Sequence, residues 1–567
     1  MTQHPDTPSS QRSVEELIIY AGAGALALLG CAGITTWGAA HLVMIVHEQR
    51  LLDPASGAWI DIAAALLDHP TDPSHAFAAR DMQHLPRGAG LYAVAAPLLA
   101  AAVCGAASGY RALRAALPTS GGRSSGEGRW ATPREMRRLY PARGEKRLVL
   151  GFSRGKLIAC EMYHSVAAFG PTGSSKTTAV VIPALLEHEG PVMALSARSD
   201  MMRPTRAARA ARGPVYVYDP LGITGEPCAA WSPLRTCKSW KEAHRVAHAL
   251  TSIAASSDQQ NQFWTGMGRK LLCALLHAAA LEDLTMRDVV RWIDTRDQTE
   301  VAAILAHHHA DDALQSFTAS LARNERTLAD IYASAELLLA AYAIPGMADT
   351  RPSESLDPQE LIKQNATLYV IAPTEDQELL QPVLCALFKD MYRAAIVQAE
   401  RSETGQLDPG MLFVIDEAAQ LTPLKDLAEI AATCRGYGIQ LVTIFQDYAQ
   451  VKARWGAKAP TIVNNHSAIV LLPGQADHDL LQLFTRLAGE RTEQTHTQSR
   501  SHQHGASSST GTRYRPLVAV HQLRQLSDDT AILLYRNLPP IPLKLRPYWR
   551  DPHLMSLTHP RPQQDAA

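Results

Sequence analysis

Charged residues are scarce in this sequence, and their signs almost cancel. Only 19% of the 567 residues are charged, below the roughly 25% of an ordinary soluble domain. With 54 Lys and Arg against 55 Asp and Glu, the formal net charge is −1. This balance argues against a protein that coats nucleic acid through bulk positive charge, although it permits a locally basic channel. The low charged fraction predicts that part of the chain lies away from water.

Cysteines in disulfide or metal-binding patterns are also lacking. None of the eight cysteines has a C-x-x-C partner, so the sequence predicts neither disulfides nor a zinc site, which fits a reducing cytoplasm. Three consecutive histidines, His307 to His309, are the other metal candidate. Because consecutive side chains on a helix point in different directions, we interpret them as a solvated face.

Two long stretches near the N-terminus contain no charged residue. One has 31 residues and the other has 23. A membrane-spanning helix needs about 20 mainly apolar residues, because lipid offers no partner to backbone polar groups. We therefore predict two transmembrane helices, at about 17–46 and 88–110. The alternative for the first stretch is a cleaved signal peptide, but the apolar run is far longer than a signal core.

Basic residues are distributed unevenly around these two stretches. Residues 47–87 hold three arginines among six acids, whereas residues 111–147 hold ten basic residues. Because cytoplasmic flanks carry the excess of Lys and Arg, residues 1–16 and the large C-terminal part are predicted to face the cytoplasm from the inner membrane, with 47–87 outside it. Residues 111–146 are predicted to be a basic juxtamembrane linker, with nucleic-acid contact as the alternative role for its charges.

After the linker, short apolar strands alternate with helical patterns. A strand, a Gly-rich turn and a helix in this order predict an α/β fold with a mostly parallel sheet. Helical periodicity then dominates before the strands return. We therefore predict a sheet domain over 147–235 and 346–549, an inserted all-α domain over 236–345, and a disordered tail over 550–567. The polar stretch 488–514 is interpreted as a flexible excursion.

A glycine-rich segment, GPTGSSKT, nearly matches the phosphate-binding pattern G-x-x-x-x-G-K-[ST]. Such a loop presents backbone N–H groups to phosphates and leads into a helix N-terminus that favours anions. A chance turn is the alternative, but the flanking strand and helix are the context that the pattern needs. Ser175 stands where the pattern has Gly, which tolerates unusual dihedral angles, so we expect strain or slower turnover. The predicted ATP-binding residues are Gly170, Pro171, Thr172, Gly173, Ser174, Ser175, Lys176, Thr177 and Thr178.

Within this loop, two side chains have distinct predicted roles. Lys176 is expected to reach the β- and γ-phosphates and to act in hydrolysis. The Thr177 hydroxyl is expected to bind Mg²⁺.

The second motif is a pair of acidic residues that follows a run of five apolar residues, MLFVI. Asp416 and Glu417 come directly after this strand, at the sheet edge where ligands lie in open parallel sheets. Asp416 is predicted to hold Mg²⁺, and Glu417 to polarise the attacking water. Gln446 ends the next strand and is predicted to sense the γ-phosphate. Arg435, just before that strand, is predicted to stabilise charge in a neighbouring subunit, with a surface arginine as the alternative.

Further segments occur together with these motifs in a distinctive order. They are RWATPREM at 129–136, VYDP at 217–220, WSPL at 231–234, and the runs FVIDEAAQL and TIFQDYAQ. With the two N-terminal apolar stretches, they resemble the type IV secretion coupling proteins of the conjugative TraG/TraD family, in the form seen in actinobacteria. The resemblance covers residue 17 to about 549.

The resemblance implies a RecA-like P-loop ATPase domain of the FtsK/HerA type, with an all-α domain inserted between its two ATP motifs. It further implies an inner-membrane homo-hexamer that uses ATP and Mg²⁺, receives a relaxase–single-stranded DNA complex, docks on type IV secretion channel components and drives transfer by ATP hydrolysis. Two departures from the family pattern bear on turnover: Ser175 replaces Gly, and residues 196–200 read SARSD where many relatives carry an Asp-x-Lys-x-Glu-like pattern.

Three other functions fit the same motifs. The chain can be an ATP-binding docking receptor that recruits cargo without pumping. It can be an FtsK-like double-stranded DNA translocase, although residues 550–567 are too few for a winged-helix domain. It can also be a protein-only secretion ATPase, because no single window combines aromatic and basic residues into a single-strand platform. Contact with DNA is therefore implied by the resemblance alone.

Overall fold

The protein is described here by a computed structural model, and the chain divides into two compact units, Met1–Ser125 and Gly126–Ala567. The structure describes residues 30, 32–52, 59–87, 90–100, 127–253, 259–501 and 505–559.

The described part of the smaller unit consists of helices joined by turns and irregular segments. Residues 32–48 and 90–100 are helical, and two further helices are Trp59–Asp68 and Ala79–Met82. Met44, Ile62 and Leu91, which come from three of these helices, are fully buried in one small core. Among the described residues, no helix combines the length and the apolar character that a membrane crossing requires. The two predicted spans, 17–46 and 88–110, fall in part outside those residues.

The larger unit contains thirteen described strands, and most of them coincide with apolar runs of the sequence. They are β1 Val149–Ser153, β2 Lys156–Ala159, β3 Val166–Phe169, β4 Val192–Ser196, β5 Val215–Tyr218, β6 Thr367–Ile371, β7 Met411–Ile415, β8 Ile439–Phe445, β9 Ala468–Leu471, β10 Glu490–Ser501, β11 Gly505–Pro516, β12 Thr530–Tyr535 and β13 Ile541–Lys544.

Eleven of these strands form one sheet in the order β2-β1-β13-β12-β9-β3-β8-β7-β4-β6-β5. The strands from β9 to β5 run parallel, and the others extend the sheet in antiparallel fashion. Every residue of β7 and β8 is buried, as expected for parallel strands that are covered on both faces. The predicted α/β fold with a mostly parallel sheet is therefore confirmed.

Helices cover both faces of this sheet. Between β5 and β6 the described residues form helices and turns, and Leu271 of this helical segment shares one hydrophobic cluster with Phe413 of β7. The helices of the larger unit are Ile182–Glu187, Met202–Ala210, Trp240–Leu250, Gln259–Leu281, Met286–Thr295, Thr299–His307, Asp311–Leu321, Glu325–Leu339, Pro358–Lys363, Gln377–Glu400, Ala418–Leu421, Leu427–Thr433, Tyr448–Trp455, Ala459–Asn465, His478–Ala488, Val520–Arg524 and Pro552–Thr558.

Three predicted segments differ from the structure. The polar stretch 488–514 is mostly a two-stranded ribbon of β10 and β11, because backbone pairing needs no apolar alternation. The tail predicted to be disordered begins with the helix Pro552–Thr558, in which Leu554 is fully buried. The predicted linker 111–146 is too long, because Met136 and Leu139 are also fully buried in the larger unit.

Candidate functional site

The glycine-rich loop begins where β3 ends, in the middle of the parallel strands. The Gly170 N–H donates to the Phe445 carbonyl at 3.1 Å, which ties the start of the loop to β8. A Cβ atom on Gly170 would lie 2.8 Å from the Leu472 Cβ, so this position requires glycine. After the loop, the chain enters a helix whose first turn, Thr177–Val181, is of the π type. The α-helix then continues to Glu187; together they are called the loop helix below.

The backbone at Ser175 is in the left-handed region, with φ at 65°. Left-handed residues with a Cβ cost about 1–2 kcal/mol relative to right-handed ones, because the Cβ approaches the carbonyl oxygen. The strain expected from serine in place of glycine therefore has a visible cause. The Ser175 carbonyl nevertheless accepts hydrogen bonds from the Ala179 N–H at 2.8 Å and the Thr178 hydroxyl at 3.3 Å, so the loop is held in this conformation.

Lys176 lies inside the loop and is mostly buried. Its Nζ donates to the carbonyls of Gly170 and Pro171 at 2.8 and 2.9 Å. Burial lowers the pKa of this ammonium group, and the nearby charges of Asp416 and Glu417 oppose that effect. The position places a positive charge inside the glycine-rich loop, where it can attract the phosphates of a nucleotide.

Asp416 faces the start of the loop helix. The Thr177 hydroxyl donates to its Oδ2 at 3.2 Å, and among the described residues its buried Oδ1 has no hydrogen-bond partner. Burial, together with the charge of Glu417, raises the pKa of Asp416 to about 6. A hydroxyl next to a carboxylate with an unused oxygen is a donor set that fits Mg²⁺. A bound cation would also compensate for the buried negative charge.

Glu417 and Gln446 are in direct contact. The Gln446 Nε2 donates to Glu417 Oε1 at 2.8 Å, and its Oε1 accepts from Gln450 Nε2 at 3.1 Å. Glu417 has a φ of 61°, so its backbone is also left-handed. Because β8 lies between β3 and β7, the side chain that follows β8 is placed between the glycine-rich loop and the acidic pair.

These residues line one cleft of about 650 Å³ at the carboxyl edge of the parallel strands. Sequence reasoning assigned no site role to its other walls. Residues 196–200 stand out in the sequence only as a departure from a family pattern. Thr374 follows β6, and its place at a strand end could have predicted that it lines the cleft. Trp549 had no such signal. The lining residues are Thr172, Gly173, Ser175, Lys176, Thr177, Thr178, Ser196, Ala197, Arg198, Asp200, Thr374, Asp416, Glu417, Gln420, Gln446 and Trp549.

Arg435 is not part of this cleft. It lies in the turn Cys434–Tyr437, which precedes β8, whereas Gln446 follows the other end of that strand. Arg435 instead lies near His164, whose pKa is lowered to about 4 by burial and by this positive charge. A role for Arg435 in a neighbouring subunit stays a prediction.

The consecutive histidines are exposed, as predicted, but two of them approach one carboxylate. The His308 Nε2 lies 2.7 Å from Glu282 Oε1, and ligand atoms of Glu282, His307 and His308 all lie within 4.8 Å of one another. The expectation that neighbouring histidines diverge is therefore wrong for this pair. The six cysteines within the described residues are all free.

A mostly parallel sheet, with a phosphate loop after one strand and an acidic pair after another, places the chain in the class of P-loop proteins. Residues 131–565 match the family model described as Type IV secretory system Conjugative DNA transfer, and the chain belongs to this family. The resemblance to type IV coupling proteins is thereby confirmed; the actinobacterial form stays a prediction.

Known proteins with similar sequences include VirD4 and TraG. The chain is 24% identical to Protein VirD4 of Rhizobium rhizogenes over 458 residues, which cover 76% of this chain and 66% of VirD4. It is 23% identical to the conjugal transfer protein TraG of Agrobacterium fabrum over 452 residues, which cover 75% of this chain and 67% of TraG. The chain thus spans about two thirds of the length of these curated relatives.

Solved structures of similar fold include the bacterial conjugative coupling protein TrwB. Its unbound monoclinic form superposes with a TM-score of 0.58 at 16% identity, over 74% of this chain and 92% of that one. TrwB in complex with ADP and Mg²⁺ gives the same TM-score and identity, over 74% and 94% of the two chains. At this identity the likeness shows the fold alone.

Proposed function

We propose that this protein is a membrane-anchored coupling ATPase of a conjugative type IV secretion system. It recruits a relaxase–single-stranded DNA complex and drives its translocation by hydrolysing ATP. The observation that carries the proposal is the convergence of Lys176, Asp416, Glu417 and Gln446 on one cleft, in a chain of the conjugative DNA transfer family. TrwB complexes with ADP and Mg²⁺ and with a non-hydrolysable ATP analogue support the choice of nucleotide and metal.

The chemistry follows from the positions of five side chains. The loop N–H groups and Lys176 Nζ hold the β- and γ-phosphates. Thr177 and Asp416 hold Mg²⁺, which when bound neutralises charge on the phosphate oxygens. Glu417 accepts a proton from the attacking water. Gln446 holds the Glu417 carboxylate in place through a 2.8 Å hydrogen bond.

Assembly and location extend this proposal. Two N-terminal stretches, 17–46 and 88–110, anchor the chain in the inner membrane, with the larger unit in the cytoplasm. The lack of charged residues in both stretches supports this role. The helical domain, 236–345, receives cargo, while 147–235 and 346–549 form the motor. The motor works as a homo-hexamer docked on the secretion channel. Arg435 lies at the far end of β8 from its own cleft, which supports a role toward a neighbouring subunit rather than its own.

Two alternatives compete with this proposal. A docking receptor would bind ATP in order to assemble but would not use hydrolysis to move cargo. A double-stranded DNA translocase would hydrolyse ATP but would not depend on a relaxase. The hydrogen bond that orients Glu417 favours a hydrolytic enzyme over a receptor, because a site that only binds nucleotide has no need of an oriented base.

The test is a mating assay with Glu417→Gln, combined with ATP binding and turnover by the purified chain. We expect retained ATP binding, with turnover and DNA transfer each reduced at least about 100-fold, since removal of a general base costs about 10²–10⁴ in rate. The matched control is Glu429→Gln, an exposed residue that pairs with Lys458 on the surface. Undiminished DNA transfer by Glu417→Gln would favour the receptor, and normal turnover would remove the assigned role of Glu417.

A further inference from the structure

One aromatic side chain at the cleft takes no part in the chemistry above. Trp549 lines the cleft together with the glycine-rich loop, and 48% of its surface is exposed. Among the described residues that line the cleft, Trp549 alone is aromatic, and the others are mostly polar or small. A large exposed indole next to a phosphate site is a surface that water solvates poorly, and a flat apolar ligand can cover it.

The segment that carries Trp549 is firmly held. Arg546 is 5% exposed; its Nη1 lies 2.7 Å from Glu187 Oε1, at the end of the loop helix, and its Nε lies 2.5 Å from Asp551 Oδ2. Asp551 also caps the helix Pro552–Thr558, accepting from the Leu554 N–H at 3.1 Å. Buried ion pairs therefore fix the backbone on both sides of Trp549, so its ring has a defined place beside the cleft.

The ring itself is oriented by a neighbour. The Tyr548 and Trp549 rings meet edge to face, with centroids 5.3 Å apart and planes at 83°. Such a contact is favourable for aromatic pairs and leaves a face of the second ring available. An oriented, exposed ring next to a triphosphate site is suited to stacking on a nucleobase.

We propose that Trp549 is the platform on which the nucleobase of the bound nucleotide stacks. The proposal rests on the proposed function, since it assigns the base subsite of the same cleft. Stacking tolerates any base because every base has a π-face. We therefore expect this subsite to contribute to affinity while discriminating little between adenine and guanine.

The experiment compares two ligands that share the triphosphate and differ in the presence of the nucleoside. Isothermal titration calorimetry of the purified full chain gives the dissociation constants of Mg²⁺-ATP and of Mg²⁺-tripolyphosphate. Comparing the two constants separates contacts with the nucleoside from contacts with the phosphates. Trp549→Ala should weaken ATP and GTP binding about 5- to 50-fold, in line with the loss of one stacked base, and leave tripolyphosphate binding within about twofold. Trp549→Phe should restore ATP binding to within about threefold of wild type, because it retains an aromatic face.

Controls keep the outcomes distinct. Met555→Ala alters an exposed side chain on the same C-terminal segment that does not line the cleft, and it should bind both ligands as the wild type does. Equal ATP binding by Trp549→Ala would overturn the inference. A parallel loss of ATP and tripolyphosphate would also overturn it, because the residue would then be supporting the fold of the site. If the wild-type chain bound neither ligand, the proposed function would fall and this inference with it.

Discussion

The carboxyl edge of the parallel strands and the helical segment between β5 and β6 have opposite local chemistry. At the edge, Ser175 and Glu417 both have left-handed backbones, and both line the cleft. Asp416 has a buried oxygen that, among the described residues, has no hydrogen-bond partner, and its pKa is raised to about 6 by burial and by the charge of Glu417. This edge therefore contains strain and a buried charge that its neighbours compensate only in part.

In the helical segment the same kinds of residue are satisfied locally. The Thr285 N–H donates to Asp288 Oδ2 at 3.0 Å and so begins the helix Met286–Thr295. Arg296 is left-handed, but it is the C-cap of that helix, where such a backbone is ordinary. The Asn324 side chain accepts a hydrogen bond from the Thr327 N–H at 2.9 Å and caps the helix Glu325–Leu339.

The difference indicates which part of the molecule is less stable than its residues would otherwise allow. Strain and unpaired charge persist only where the surrounding structure over-determines them, and they concentrate at functional sites. Where the structure describes the helical segment, the two capped helices that begin at Met286 and Glu325 show no such features, so we infer that they support rather than perform the chemistry. We therefore expect substitutions at the edge to change ATP turnover or to increase the free energy of unfolding. Substitutions in the helical segment should only decrease the free energy of unfolding.

The largest effect is expected at Gln446. Gln446→Ala removes the donor that orients Glu417, so we expect kcat for ATP to fall about 100-fold with ATP binding nearly unchanged, because a mispositioned base loses most of its catalytic contribution. Steady-state turnover and equilibrium binding measure the two quantities. Gln450→Ala is the matched control, since Gln450 contacts Gln446 but not Glu417. An equal loss in the two variants would contradict the assigned contact.

Next in size is a gain of stability at Asp416. Burial raises the pKa of Asp416 above its ordinary 3.8 to about 6, so ionisation destabilises the folded state above about pH 6, and this cost diminishes as the pH falls toward 3.8. Asp416→Asn should therefore raise the free energy of unfolding at pH 8 by about 2–3 kcal/mol, since one pKa unit corresponds to about 1.4 kcal/mol. Urea denaturation without Mg²⁺ or nucleotide measures the difference.

The pH dependence separates this explanation from improved packing. At pH 5 the advantage of Asp416→Asn should shrink to about half of its value at pH 8, by the same linkage. Added Mg²⁺-ATP should stabilise the wild type and not the variant. A variant that is less stable than the wild type at pH 8, or a difference that does not change with pH, would contradict the buried-charge explanation.

Much of this edge could be predicted from the sequence because parallel strands end at one side of a sheet. The loop after β3, the acidic pair after β7 and Gln446 after β8 each follow an apolar run, so their convergence required only the parallel arrangement. The left-handed backbone at Ser175 was likewise signalled by serine in a glycine position.

Other parts carried no local signal. The segment of Trp549 is held beside the cleft by the ion pair of Arg546 with Glu187, which is far away in sequence, and periodicity does not report such a contact. The ribbon of β10 and β11 consists mainly of polar residues, so its strands lack the alternation by which sheets are recognised. The strand β13 is four residues long and contains Pro542, which argues against a strand in sequence analysis.

A capping residue tests the helical side of the comparison. Asn324→Ala removes the side chain that accepts from the Thr327 N–H, so we expect the free energy of unfolding to fall by about 1 kcal/mol, with kcat for ATP unchanged. Thr295→Ala is the control, because its exposed hydroxyl donates to the Arg291 carbonyl within the same kind of helix and caps nothing. A drop in turnover with Asn324→Ala would break the division between the two regions.

The smallest effect is expected at Ser175, where two contributions nearly cancel. Ser175→Gly removes a left-handed Cβ that costs about 1–2 kcal/mol, but glycine also gains about 0.5–1 kcal/mol of unfolded-state freedom. We therefore expect a net gain of about 0.5 kcal/mol in the free energy of unfolding, measured by urea denaturation at pH 8. Ser175→Ala keeps the Cβ and should give no gain. If Ser175→Gly were no more stable than Ser175→Ala, the left-handed backbone at this position would not be a source of strain, and the contrast with the capped helices would rest on Asp416 and Glu417.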